Sequence, residues 1–342
     1  MLCLAAAGCG GGVQILKSRS SGSAAASTTA LPRASPTTTS TAPAPKPPPP
    51  RPPPPRAPFA VGERIVRFVD RSRLVEIPGH GLQPRTLITV IRYPAHGSAS
   101  HVDVMNAPPQ RGAGRFPLVI FGHGFSVTPE PYAPLLRYWA RGGYVVAAPI
   151  FPLGNANAPG GPNESDLPNQ PGDMSFVITR LLHASASRNS FFAGMIDAHA
   201  VAVSGQSDGG DTALTVAYNG RDFDPRVRAA VILSGMEIPG MGGYEFTSSS
   251  PPLLATQGTA DTINPPSFTY AFFDAAQRPK YLLSMFGASH IGPYSGEQPW
   301  ARIVERVTVD FLNAYLKGRH GAVRKLLHDG DHRGLSSLVA DR

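Results

Sequence analysis

Only two cysteines occur in the 342-residue chain, Cys3 and Cys9, and both lie within its first nine residues. Everything downstream is therefore without a disulfide, a thiolate nucleophile or a cysteine-based zinc site. No run of 18 or more apolar residues occurs, so no segment is long enough to cross a bilayer as a helix. Acidic residues are missing altogether from residues 1–58, which hold 13 prolines among Ala, Gly, Ser and Thr. That composition buries too little apolar surface to offset the entropy of ordering it. It reads as a tether. Four prolines on each side of Arg51 make residues 46–58 a polyproline II spacer of roughly 40 Å.

The net charge of +8 suggests a nucleic-acid partner until its position is examined. Six basic residues fall in the acid-free tether, leaving 25 basic against 23 acidic in the remainder. A nucleic-acid binder concentrates its charge on the folded surface, and this chain does not. At the N-terminus, Ala6-Ala7-Gly8-Cys9 resembles the end of a bacterial lipoprotein signal peptide, with Cys9 as the lipidation site. The apolar stretch before it is about six residues and no Lys or Arg precedes it, so the signal region looks truncated. The expectation is a protein of the cell envelope or a secreted one, tethered to the membrane through residues 10–58. A disordered leader with no export role is the alternative.

From Phe59 onward strand-like and helix-like segments alternate. Residues 64–69 and 86–93 are rich in β-branched residues and read as two opening antiparallel strands. Continuous apolar runs at 116–121, 144–150, 200–203, 227–233, 252–256 and 281–286 read as strands buried on both faces. Helical periods cover 131–140, 174–183, 209–218 and 301–316. The expected fold is α/β: a mostly parallel central sheet with helices on both faces and an antiparallel N-terminal edge. The expected layout is a signal remnant (1–9), the tether (10–58), a catalytic domain (59–318) and a C-terminal tail (319–342).

Gly205-Gln206-Ser207-Asp208-Gly209 sits between the strand at 200–203 and the helix at 209–218. A G-x-S-x-G at a strand-to-helix turn is a nucleophile elbow, in which glycines let a strained turn lift the serine hydroxyl above the sheet. Such a hydroxyl needs a base, and the base needs an orienting group. His290 follows the last apolar strand and Asp261 follows the strand at 252–256; both fall on the sheet edge that carries Ser207. Glu237, after the strand at 227–233, is the alternative acid. His199 falls at the opposite edge, and His320, His328 and His332 lie beyond the last helix. In Phe121-Gly-His-Gly-Phe125 the backbone N–H of Phe125 is one candidate oxyanion donor and that of Asp208 the other. His123 reads as a brace for that loop.

These four motifs, Gly122 to Phe125, Gly205 to Gly209, Gly258 to Asp261 and Gly287 to His290, resemble those of α/β-hydrolase serine esterases. The bacterial branch in question includes platelet-activating-factor acetylhydrolase-like, dienelactone-hydrolase-like and cutinase-like enzymes. The resemblance spans roughly residues 60–317 and implies an acyl-enzyme mechanism on a small-molecule or lipid ester, with no cofactor. Serine stands where dienelactone hydrolases carry cysteine. Asp208 stands where polyester hydrolases commonly carry Met, and residues 234–244 contain no Trp. A carboxylate there disfavours anionic esters. An acyltransferase, a peptidase or an inactive binding module would use the same residues differently. Residues 152–172, rich in Pro, Gly and Asn, read either as a lid or pocket rim or as a variable loop. The segment His328 to His332 reads as a solvated terminus in preference to a metal site.

Overall fold

The structure, a computed structural model, describes residues 57–342. Cys9 and the tether up to residue 56 lie outside them. A long hairpin opens the domain: β1 (Ala60–Ile77) pairs antiparallel with β2 (Gly81–Ala95), with a register break between Asp70 and Leu74. The short β3 (Asp103–Met105) lies beside β1 at the edge. There follow β4 (Phe116–Gly122), α1 (Ala133–Arg141), β5 (Val145–Ile150), α2 (Gln170–Ala186), β6 (Ile196–Gln206) and α3 (Asp208–Tyr218). The second half runs β7 (Val227–Leu233), β8 (Leu253–Gly258), α4 (Pro266–Ala275), β9 (Lys280–Met285), a one-turn α5 (Gly292–Ser295) and α6 (Trp300–Tyr315).

With β10 (Ser336–Asp341) the ten strands form one sheet in the order β10-β9-β8-β7-β6-β4-β5-β2-β1-β3. From β5 to β9 all neighbours are parallel, whereas β2 meets β5 antiparallel, as the expected N-terminal edge requires. Side chains alternate across a strand, and both faces here are apolar. Leu118 and Ile120 of β4 pack toward Met174 and Val177 of α2 and Leu214 of α3. Val119 and Phe121 pack on the other face with Trp139 of α1 and Val307 and Phe311 of α6. The buried indole N–H of Trp139 donates to Thr308 Oγ1 at 2.8 Å, so joining α1 to α6 leaves no donor unmet there.

The segment after Leu316 is not a tail. Residues 322–330 form α7 (Ala322–Gly330), and β10 (Ser336–Asp341) adds an antiparallel edge strand to β9. Leu326 is fully buried against the α6 face, which supplies the apolar contact that nine residues need to stay helical. The catalytic domain therefore extends to the end of the chain, beyond the expected boundary at 318.

Residues 152–172, between β5 and α2, are clipped to the body of the domain. Ser126 N–H donates to Gly154 O and Ala156 N–H to Val127 O. At the far end Arg85, 1% exposed, makes paired hydrogen bonds to Asp166 (2.8 and 2.6 Å) and to Asp173 (2.6 and 2.7 Å). Burial works against the guanidinium charge, but the two carboxylates outweigh it and hold the group well above its ordinary pKa. Of the two readings of this segment, a fixed rim fits these contacts.

Candidate active site

Ser207 stands between β6 and α3 with φ 55° and ψ −130°, a backbone state an L-residue rarely adopts. Such a residue costs on the order of 1–3 kcal/mol and persists only where its surroundings hold it. Here the Ser207 N–H donates to Leu233 O at 3.1 Å, and its carbonyl accepts from Asp211 N–H at 2.9 Å. The turn also depends on glycines. A Cβ on Gly205 would overlap the carbonyl of Gly209, and one on Gly209 would overlap the backbone of Gly122. Strand β4 and helix α3 touch backbone to backbone, and this sets the serine at the carboxyl edge of the sheet.

His290 and Asp261 meet beside it. The imidazole Nδ1 lies 2.7 Å from Asp261 Oδ2. Asp261 is 4% exposed, and its other oxygen accepts from the N–H groups of Ile263 (3.0 Å) and Asn264 (2.9 Å). Burial pushes this carboxyl upward, but the bonds from His290 and the two amides prevail and hold it below the ordinary aspartate value. Glu237 is exposed and has no hydrogen bond to His290, so the structure pairs the histidine with Asp261 and not with the alternative acid. His199 is exposed near the start of β6, His328 binds Asp329, and His332 Nε2 contacts Asp329 O. None of these approaches Ser207. The sequence reading did not foresee Gln206 as a neighbour of His290: its amide nitrogen lies 3.1 Å from His290 Nε2 and 3.0 Å from His290 O. Ser207 Oγ makes no hydrogen bond to the imidazole in this arrangement.

Past β4, His123 is 1% exposed and braces the loop as expected. Its Nδ1 bonds Gly124 O at 2.8 Å, and its Nε2 accepts from Phe151 N–H at 3.0 Å. A nitrogen that accepts from an amide carries no proton, so the ring is neutral, and burial lowers its pKa to about 4. Gly124 N–H is taken by Tyr132 Oη at 3.3 Å. The N–H groups of Phe125 and Asp208 donate to no other described residue. Asp208, 7% exposed, has an Oδ2 atom with no hydrogen bond. Burial, reinforced by the charge of Glu164 on the rim, pushes its pKa up to about 6, while His290 acts in the opposite sense. Asp211 behind it is raised further by burial, although Met236 N–H donates to it at 2.6 Å.

Phe125, Ile263 and Phe286, on the loops that carry these groups, expose their side chains and give the rim of the site an apolar character. Two cavities of about 680 and 620 Å³ lie elsewhere and are lined by none of Ser207, Asp261 or His290. An elbow serine, an imidazole bonded to a buried carboxylate and the backbone N–H groups of Phe125 and Asp208 thus lie on the loops at one edge of the sheet.

Residues 86–264 match the chlorophyllase family model. The chain belongs to the chlorophyllase family. The matched segment holds the oxyanion loop, Ser207 and Asp261 and ends before His290. No curated protein matches the chain. Among solved structures it resembles a ferulic acid esterase from Streptomyces cinnamoneus, 21% identical over 76% of this chain and 91% of that one, with a TM-score of 0.58. That likeness shows the α/β-hydrolase fold. The chlorophyllase-family chain is thus an ester-hydrolysing enzyme, in line with the esterase resemblance read from its motifs.

Proposed function

We propose that this enzyme hydrolyses carboxylic esters through an acyl-enzyme on Ser207, with His290 as base and Asp261 as its orienting acid. Ser207 Oγ attacks the ester carbonyl carbon as its proton passes to His290 Nε2. That proton goes to the departing alcohol, and water then repeats the sequence to release the acid. The N–H groups of Phe125 and Asp208 hold the carbonyl oxygen as it gains charge. The observation that carries this reading is the 2.7 Å contact of a buried Asp261 with His290, whose ring stands against the residue next to the elbow serine. The apolar rim and the carboxylates of Asp208 and Glu164 favour uncharged, apolar esters over anionic ones. Chlorophyll, from the family's name, and a ferulate ester, from the structural neighbour, belong in the substrate panel beside p-nitrophenyl esters of graded chain length.

The experiment is turnover of such a panel by three variants. Ser207→Ala abolishes hydrolysis, Asp261→Asn lowers kcat by about 10⁴-fold by favouring the wrong tautomer, and Glu237→Gln leaves it near wild type. Retained activity in Ser207→Ala, or damage from Glu237→Gln in place of Asp261→Asn, overturns the assignment.

A further inference from the structure

Gln206, the variable residue before the elbow serine, is 1% exposed and lies between two loops that the reaction needs. Its hydrogen bonds can be assigned by elimination. Gly124 N–H can only donate, so at the 3.3 Å contact Tyr132 Oη accepts and its own proton is free for Gln206 Oε1 at 2.7 Å. From the other end, His290 O can only accept, so the amide atom 3.0 Å away is the nitrogen. Both ends agree on one orientation of the amide. Its second N–H then points at His290 Nε2, 3.1 Å away, which must accept and so carries no proton. The ring proton therefore sits on Nδ1 and is donated to Asp261 Oδ2. Packing around the amide is close: a Cβ on Gly124 would come within 3.0 Å of Gln206 Oε1, 3.2 Å of Ser207 Cβ and 3.3 Å of Tyr132 Oη.

We propose that Gln206, held by Tyr132, is a positioning residue that keeps His290 in the tautomer able to accept the serine proton and ties its loop to the oxyanion loop. The inference rests on the triad proposed above. When Nε2 takes the proton from Ser207 Oγ it becomes a donor, so the amide N–H facing it must withdraw while its bond to His290 O remains. The Gln206 contact is thus one that only the ring with an unprotonated Nε2 can make.

The test compares pH–rate profiles of the full chain for wild type, Gln206→Leu, Gln206→Glu and Tyr132→Phe, with thermal melting to verify folding. Gln206→Leu removes the donor, and the acid limb of kcat/KM moves to higher pH. Gln206→Glu places an acceptor where the donor was and moves that limb further in the same direction. Tyr132→Phe, which keeps its packing, moves it by less and covers the case in which a Gln206 variant does not fold. Acid limbs that coincide with wild type in the folded variants overturn the proposal, because a purely structural role lowers activity without moving them. If Ser207→Ala retains activity the triad itself fails; if it is dead and the limbs coincide, only the role of Gln206 fails.

Discussion

Asp208 illustrates how the site is held against the preferences of its own side chains. It follows the elbow serine at the start of α3, yet its carboxylate is buried with one oxygen unpartnered and Glu164 nearby. Its pKa of about 6 lies above the unfolded value, so the fold favours the protonated form. By linkage its full contribution to stability is present below about pH 4, declines as the pH rises toward 6 and is absent above that. Asp208→Asn is therefore expected to stabilise the protein by on the order of 2 kcal/mol at pH 8, with no gain at pH 4. Unfolding curves at the two pH values check this, and an equal gain at both contradicts it. The strand-end positions of Ser207, Asp261 and His290, and the pairing of the last two, are legible at this scale because strand ends and the G-x-S-x-G spacing are local patterns. Gln206 was not: its contact with His290 joins positions 84 apart in the chain, and nothing around position 206 announces it.

At the scale of elements, the arginine clamp sets the rim. Arg85, opposite Asp70 at the register break of the hairpin, reaches Asp166 in the turn at 164–169 and Asp173 in the first turn of α2, and Arg73 adds a second contact to Asp173 at 2.7 Å. Removing one member of a buried ion cluster leaves the others uncompensated, a loss of about 3–5 kcal/mol. Arg85→Met is expected to destabilise by that amount in urea unfolding, and Asp166→Asn with Asp173→Asn in the same chain to recover much of it. Equal instability of the single and triple variants would instead mean that Arg85 acts through its packing. The sequence reading placed β7 at its observed bounds and the other central strands within a few residues, because continuous apolar runs mark strands buried on both faces. It missed the length of the β1–β2 hairpin, the helix α4 and the packed C-terminus. Edge strands and short polar helices such as β10 and α7 owe their order to neighbours, and neighbours do not appear in a local window. Arg85 was silent for the same reason, since its partners lie more than 80 residues away.

For the molecule as a whole, glycines at 122, 205 and 209 let β4, β6 and α3 converge without side chains, and that convergence fixes where the serine stands. The loops after β4, β8 and β9 then bring Phe125, Asp261 and His290 to the same edge of the sheet. Family membership and fold establish an ester-hydrolysing enzyme, and we propose that Ser207 carries the acyl group. A fluorophosphonate probe, which reacts with an activated serine, tests that proposal most directly when the labelled protein is digested and the adduct mapped by mass spectrometry. The account predicts one adduct, on the peptide containing Ser207, and its loss in His290→Ala as well as in Ser207→Ala. An adduct on another residue, or none on protein that still hydrolyses esters, would contradict it.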